Sequence, residues 1–245
     1  MRSIFSILFF VVLFCPGCND PNAPNCLQSA GEVRTFDIEV EEFSEVEIND
    51  NFAVTIQQGT EQSLSITIGE NLINDTRVEN IDGKLVISDN NGCRWVRDYE
   101  FPQVVITTPD LTRIRQNGGG IIRSVGVLNF HDLVLISEER TGDFELQVEC
   151  QQLRITNNDL SNYYISGVVE NLYVGFFAGD GRFEGEGLQA SNAEVFHRGT
   201  NDMIISATGA LTGRIISNGN VIYTKTVPRV IDVSIEGRGE LIFKE

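Results

Sequence analysis

The sequence predicts an all-β fold, a parallel β-solenoid with about 20 residues per coil. Three observations predict it. Apolar strand starts recur at a near-constant interval from residue 111 onward. Clusters of Gly, Asn and Asp separate the apolar segments. Val, Ile and Thr recur throughout, with no long Ala/Leu/Glu/Lys-rich stretch, and 23 glycines stand against 6 prolines, a balance that favours strands and turns over helices.

The first eighteen residues read as an export signal. Arg2 is the only charge before an apolar run from Ile4 to Phe14. The run is short of the ~20 residues a membrane span needs and suits the core of a signal peptide. It leads into Cys15-Pro16-Gly17-Cys18, which resembles a bacterial lipobox, with the small Gly17 before the cysteine that would be acylated. Bulky Phe14 argues against Cys15 as the acceptor. Residues 1–17 are therefore expected to be the lipoprotein signal, Cys18 the lipidation site and membrane anchor, 18–31 a tether, and 32–245 one domain. Acylation at Cys18 would carry more than one chain, enough for stable anchoring.

Three cysteines remain. A Cys26–Cys93 disulfide is expected to clip the N-terminal arm to the body, since export permits such a bond. Cys150 shares by alternation the face of Phe144, Leu146 and Val148, and is expected to be a buried free thiol. The wide spacing lacks the paired pattern of a zinc site.

Residues 36–110 are strand-rich but aperiodic. Phe43–Ile48, Val54–Ile56, Leu64–Ile68 and Lys84–Ile87 alternate, and Gln58-Gly59 and Asp82-Gly83 mark turns. This part is expected to be a distorted start that caps the solenoid. Asn71–Asn80 is the one place suited to a short helix or ordered loop.

From residue 111 the repeat is clear. First segments begin at Leu111, Leu133, Leu153, Leu172, Ala193, Leu211 and Ile231, 18 to 22 residues apart. Second segments begin at Ile121, Phe144, Tyr164, Phe183, Met203, Val221 and Leu241. Turn-formers such as Asn117-Gly118-Gly119-Gly120 and Gly179-Asp180-Gly181 lie between them, suited to corners that need positive φ. One such unit is too thin to bury its apolar face, and stacking makes a continuous core. A β-sandwich of hairpins also shows regular turns, but has no reason to keep seven units in phase.

Several motifs occur together in order: Phe43-Ser44-Glu45-Val46, Gln58-Gly59, Glu70-Asn71-Leu72, Gly83-Lys84-Leu85, Pro109-Asp110-Leu111 and Asn117-Gly118-Gly119-Gly120-Ile121. Over roughly residues 35–245 the chain resembles the auto-transporter adhesin head GIN domain family of Gram-negative bacteria. The resemblance implies a right-handed β-solenoid on an exported protein, often behind a lipoprotein signal, with no catalytic residues to carry over. Trp95, after Cys93, fits members that carry an N-terminal cysteine pair.

The net charge of −17 argues against nucleic acid as a partner, because phosphate binding needs clustered Lys and Arg. No EF-hand or nonapeptide calcium repeat is present, and no cofactor or metal is expected. Serine-hydrolase, zinc-protease, P-loop and dinucleotide motifs are absent. His131 and His197 read as surface histidines near turns. Asp132, Glu138, Glu139, Asp180 and Glu184 are the carboxylates that could converge as in a β-helix lyase or glycosidase. Arg113, Arg115 and Arg123 form a small basic group expected to offset local acids. Tyr163, Tyr164, Tyr173, Phe176 and Phe177 fall in two adjacent coils, where their outward members could stack sugar rings. The expected function is non-catalytic: an envelope lipoprotein whose solenoid presents a rigid face to a surface glycan or protein. Two readings stand beside it, an envelope structural or signalling-associated protein without extracellular ligand, and a carbohydrate-active enzyme.

Overall fold

The computed structural model describes residues 29–91, 100–138 and 141–245. Its strands are β1 (Val33–Ile38), β2 (Glu45–Asn49), β3 (Ala53–Gln58), β4 (Ser63–Gly69), β5 (Thr76–Ile81), β6 (Lys84–Asp89), β7 (Gln103–Thr108), β8 (Arg113–Asn117) and β9 (Ile121–Asn129). They continue with β10 (Asp132–Ser137), β11 (Asp143–Asn157), β12 (Tyr163–Phe176), β13 (Phe183–His197), β14 (Met203–Ile215), β15 (Val221–Thr224), β16 (Val230–Ile235) and β17 (Leu241–Lys244). One 3-10 turn, Ile73–Asp75, falls inside the expected Asn71–Asn80 stretch.

These strands form a β-solenoid with two stacked parallel sheets. The first sheet runs β6, β2, β8, β10, then the C-terminal halves of β11 to β14, then β16. The second runs β7, β3, β9, then the N-terminal halves of β11 to β14, then β15 and β17. Strands β11 to β14 therefore each serve two coils. The pairing skips Gln151 opposite Glu170, where the chain turns from one sheet to the other.

Alternation fills the space between the sheets. Leu133, Leu153, Leu172, Ala193 and Leu211 are in register and buried. Across the core, Phe144, Tyr163, Phe183, Met203 and Val221 form the matching column, all 0% exposed. Phe144 and Tyr163 stack with centroids 4.8 Å apart and planes 8° from parallel. Tyr163 keeps its hydroxyl satisfied by donating to the Thr156 carbonyl at 3.2 Å, and burial pushes its pKa well above the usual tyrosine value.

Three predicted segment starts are one residue out. Val134 pairs with Arg113, so Leu133 falls opposite Thr112 and not Leu111. Ile122, not Ile121, pairs with Phe144, and Tyr163, not Tyr164, occupies the core column. At Ile121-Ile122 and Tyr163-Tyr164 apolar residues are adjacent, so alternation alone gives two equal phases, whereas Leu111, between Asp110 and Thr112, lies ahead of the start of β8 at Arg113.

The corners are tied by a ladder of polar side chains, one per coil. Asp143 accepts from the Asn162 backbone N–H at 2.8 Å, and Asn162 accepts from that of Arg182 at 3.1 Å. Asn220 donates to Asp202 at 2.9 Å and accepts from the Glu240 N–H at 3.0 Å. Corner glycines serve close approach more than positive φ. A Cβ on Gly118 would lie 1.4 Å from the Asp50 carbonyl oxygen, though its φ is not positive, whereas Gly179 has φ +88°.

The N-terminal part caps the solenoid, but by reversing the order of coils. The β2–β3 coil lies between the β6–β7 coil and the β8–β9 coil. Antiparallel β5 closes the first sheet, and antiparallel β4 and then β1 close the second. The β5–β6 turn uses Asp82 (φ 54°) and Gly83 (φ +81°), the left-handed pair that a two-residue hairpin requires.

The signal segment, Cys18, Cys26, Cys93, Trp95 and Glu139 lie outside the described residues. At the end of the expected tether, the Ser29 and Ala30 carbonyls accept from the Asn71 side chain and backbone at 3.0 and 3.1 Å, which fastens that end to the body.

Candidate functional site

The outward side chains of the first sheet form four columns, set by the same register that builds the core. In chain order these columns pass through Asn171, Tyr173 and Gly175 of β12 and through Phe177, the residue that follows it. The first two columns line a groove of about 510 Å³ whose walls include Asp132, Gln152, Arg154, Asn171, Tyr173 and Glu194. Asn192 donates to Asn171 at 3.1 Å across adjacent coils.

The other two columns carry an aromatic cluster. Gly175 pairs with Phe196 of the next coil. A Cβ on Gly175 would meet the Tyr173 ring at 2.7 Å and the Phe177 ring at 2.9 Å, so both rings lean over this residue. Phe177 and Phe196 are 4.9 Å apart, tilted by 30°. The Arg154 guanidinium lies 3.9 Å from the Tyr173 centroid, a cation–π contact on the groove side. Half-buried Tyr173, Phe177 and Phe196 thus form one platform beside exposed Arg154, Glu194 and Arg198. At its edge Arg214 donates to both Glu236 oxygens, at 3.0 and 2.9 Å, and the pair holds the Glu236 carboxyl below its ordinary pKa and raises that of Arg214.

The five predicted aromatics divide. Tyr163 and Phe176 are buried in the core, which corrects their expected exposure as ligand-facing residues. Tyr164, 44% exposed, projects from the second sheet, so it cannot join the others. Tyr173 and Phe177 face outward together on the first sheet. Phe196 and Arg154 complete the patch and were missed. Phe196 does alternate with buried Val195 and His197, a signal that points it outward.

Among the described residues the predicted carboxylates do not converge. Asp132 and Glu138 bracket β10, about 20 Å apart at ~3.3 Å per residue, well beyond the spacing of a glycosidase pair. Glu138 pairs with Arg115, and Glu184, on the other sheet, pairs with Arg182. Asp180 accepts from the Thr200 hydroxyl at a corner. Arg113 and Arg123 pair with Glu45 and Glu145 at 2.9 and 2.6 Å, so the basic group offsets acids of neighbouring coils. Among the described residues no group of His, Cys, Asp and Glu could hold a metal ion.

His131 is exposed, beside Asp132 at 3.1 Å. His197 is not a surface histidine: it is 0% exposed, in the core column between Phe176 and Ile215. Its Nε2 bonds the Asn201 carbonyl at 2.7 Å, its Nδ1 has no partner among the described residues, and burial lowers its pKa. Cys150 is a buried free thiol, with its pKa pushed up to about 11 by desolvation.

No helix among the described residues is long and apolar enough to cross a membrane. No curated protein matches the sequence. Among solved structures, one described as a putative adhesin from Bacteroides fragilis is similar with a TM-score of 0.80 at 21% identity, covering 87% of this chain and 97% of that one. Another, described as a putative lipid binding protein from Parabacteroides distasonis, has a TM-score of 0.66 at 18% identity, with 88% and 98% coverage. A third, described as a putative adhesin from Parabacteroides merdae, has a TM-score of 0.61 at 15% identity, with 89% and 98% coverage. These likenesses show the shared fold. The family described as "Putative auto-transporter adhesin, head GIN domain" matches residues 42–226, and the chain belongs to it.

Proposed function

We propose that this is a non-catalytic, exported adhesive protein, held at the cell envelope through acylated Cys18, whose first sheet binds glycan chains of a surface or matrix. The observation that carries the reading is the Tyr173–Phe177–Phe196 cluster on a rigid outward face, beside a groove lined by Gln, Asn, Arg and acidic side chains. Apolar ring faces match the C–H faces of pyranose rings, and planar amides and guanidinium groups match paired hydroxyls. A rigid sheet fixes the backbone beneath these groups, which lowers the ordering cost on binding.

A glycan array followed by calorimetric titration tests the reading. Tyr173→Ala and Phe196→Ala are expected to weaken binding by about tenfold or more, equivalent to ~1.4 kcal/mol or more. Tyr164→Ala, on the opposite sheet, is expected to bind as the parent does. Equal loss in all three variants, or no glycan bound by the parent, would reject the site.

A further inference from the structure

The two ends of the solenoid differ. At the N-terminal end β5 covers the first sheet, and β4 and β1 cover the second. At the other end β16 pairs only with β14, and β17 only with β15, among the described residues. The inward columns emerge there. Ile231 is 38% exposed, Ile235 52% and Phe243 39%, while Leu211 and Ile215, one coil earlier, are 0% exposed. A free edge on both sheets, with core columns cut across between them, is a template for further strand pairing.

We propose that this end binds a second copy of the same chain, end to end about a two-fold axis. In such a contact each edge strand runs antiparallel to its own copy. Centred on Ile242, β17 sets Leu241 opposite Phe243 of the second copy, and Glu240 opposite Lys244 of that copy. Centred on Val233, β16 sets Ile231 opposite Ile235, and Asp232 opposite Ser234. Inward side chains meet inward side chains in both strands, and the charged pair is of opposite sign. The two strands of a coil run in opposite directions on the two sheets, and Val233 and Ile242 lie at similar distances from the corner at residues 236–240. One axis through both sheets therefore serves both pairings. Stacking this end on the N-terminal end of another copy does not match in this way. That end carries one extra strand on the first sheet and two on the second, so its edges are staggered. The net charge of −17 per chain opposes association, so the opposite-sign Glu240–Lys244 pairs are the local attraction at the contact.

Sedimentation velocity of the purified protein over a wide concentration range tests this. A monomer–dimer equilibrium is expected. Lys244→Glu and Glu240→Lys, both at exposed positions, are each expected to weaken the dimer by about tenfold, and the doubly substituted chain to recover the parent's dimerisation constant. A chain that stays monomeric at the highest concentration overturns the proposal. So does a dimer indifferent to both reversals, or one weakened further in the double variant, or growth into open-ended polymers. Circular dichroism of each variant confirms that the fold is retained.

Discussion

Leu153 and Arg154 are adjacent in sequence and face opposite sides of the first sheet, so replacing each by alanine tests the register directly. Leu153 is 1% exposed and stacked between Leu133 and Leu172. Truncation there loses the burial of the removed atoms and leaves a cavity between two coils that cannot both collapse. A cost of about 2–5 kcal/mol is expected, against a total of ~5–15 kcal/mol for an ordinary domain. Arg154 is exposed, and its contact with Tyr173 is worth about 0.5–1 kcal/mol at such a site. Urea unfolding followed by far-ultraviolet circular dichroism measures both. The midpoint of Leu153→Ala is expected to fall well below that of Arg154→Ala, with the slope little changed. A loss below ~1 kcal/mol for Leu153→Ala, or a larger loss for Arg154→Ala, would refute the inward and outward assignment of the whole sheet.

His197 makes stability sensitive to mild acid. Its folded-state pKa is lowered from the ordinary 6.5, so below about pH 6.5 the unfolded chain takes up the proton more readily. The contribution is intact above that value and is lost as pH falls toward the lowered folded value. Urea midpoints measured downward from neutral pH are expected to drop, and His197→Leu is expected to flatten that drop; equal pH slopes in the two proteins would exclude this origin. At Cys150, 8% exposed and with a pKa of about 11, thiol labelling near pH 8 is expected to be far slower in the native protein than in urea, read from the peptide that contains it. Equal labelling rates would show that the thiol is open to solvent.

The stacking was legible where successive coils repeat a leucine at the same place. Leu133, Leu153, Leu172 and Leu211 do so, and their spacing alone identified a column. It became illegible at Tyr163-Tyr164, where either ring satisfies the pattern. The stacking of Tyr163 on Phe144, nineteen residues earlier, and its bond to the Thr156 carbonyl select the phase, and neither contact is visible in the local alternation. The reversed coil order at the N-terminal end had no local signal. Strand β2 meets β6 and β8 through residues about 40 and 70 positions away, and short alternating strands carry no record of which neighbour they pair with. His197 misled for a related reason. A histidine two residues before a glycine corner reads as exposed, yet the Asn201 carbonyl in that corner supplies the partner that allows its burial.

The candidate site was half legible because a solenoid surface has two repeat distances. Along a strand, neighbours on one face are two residues apart, which places Tyr173 and Phe177 on the same face as Gly175, one on either side of it, from sequence alone. Across strands, neighbours are one coil apart, and coil lengths here vary between 18 and 22 residues. A drift of a single residue moves a side chain to the other face of the sheet, so the cross-strand neighbours of an aromatic cannot be read until the corner lengths are known. Phe177 and Phe196 meet because the pairing sets Gly175 beside Phe196, and because glycine leaves the space into which the rings lean. Replacing Gly175 by valine would place a branched side chain between Tyr173 and Phe177, while β-propensity favours valine at that position. The residue with least strand preference in that stretch therefore marks the centre of the platform. Its place in a strand buried among neighbours on both sides is explained by the surface above it, not by the sheet beneath.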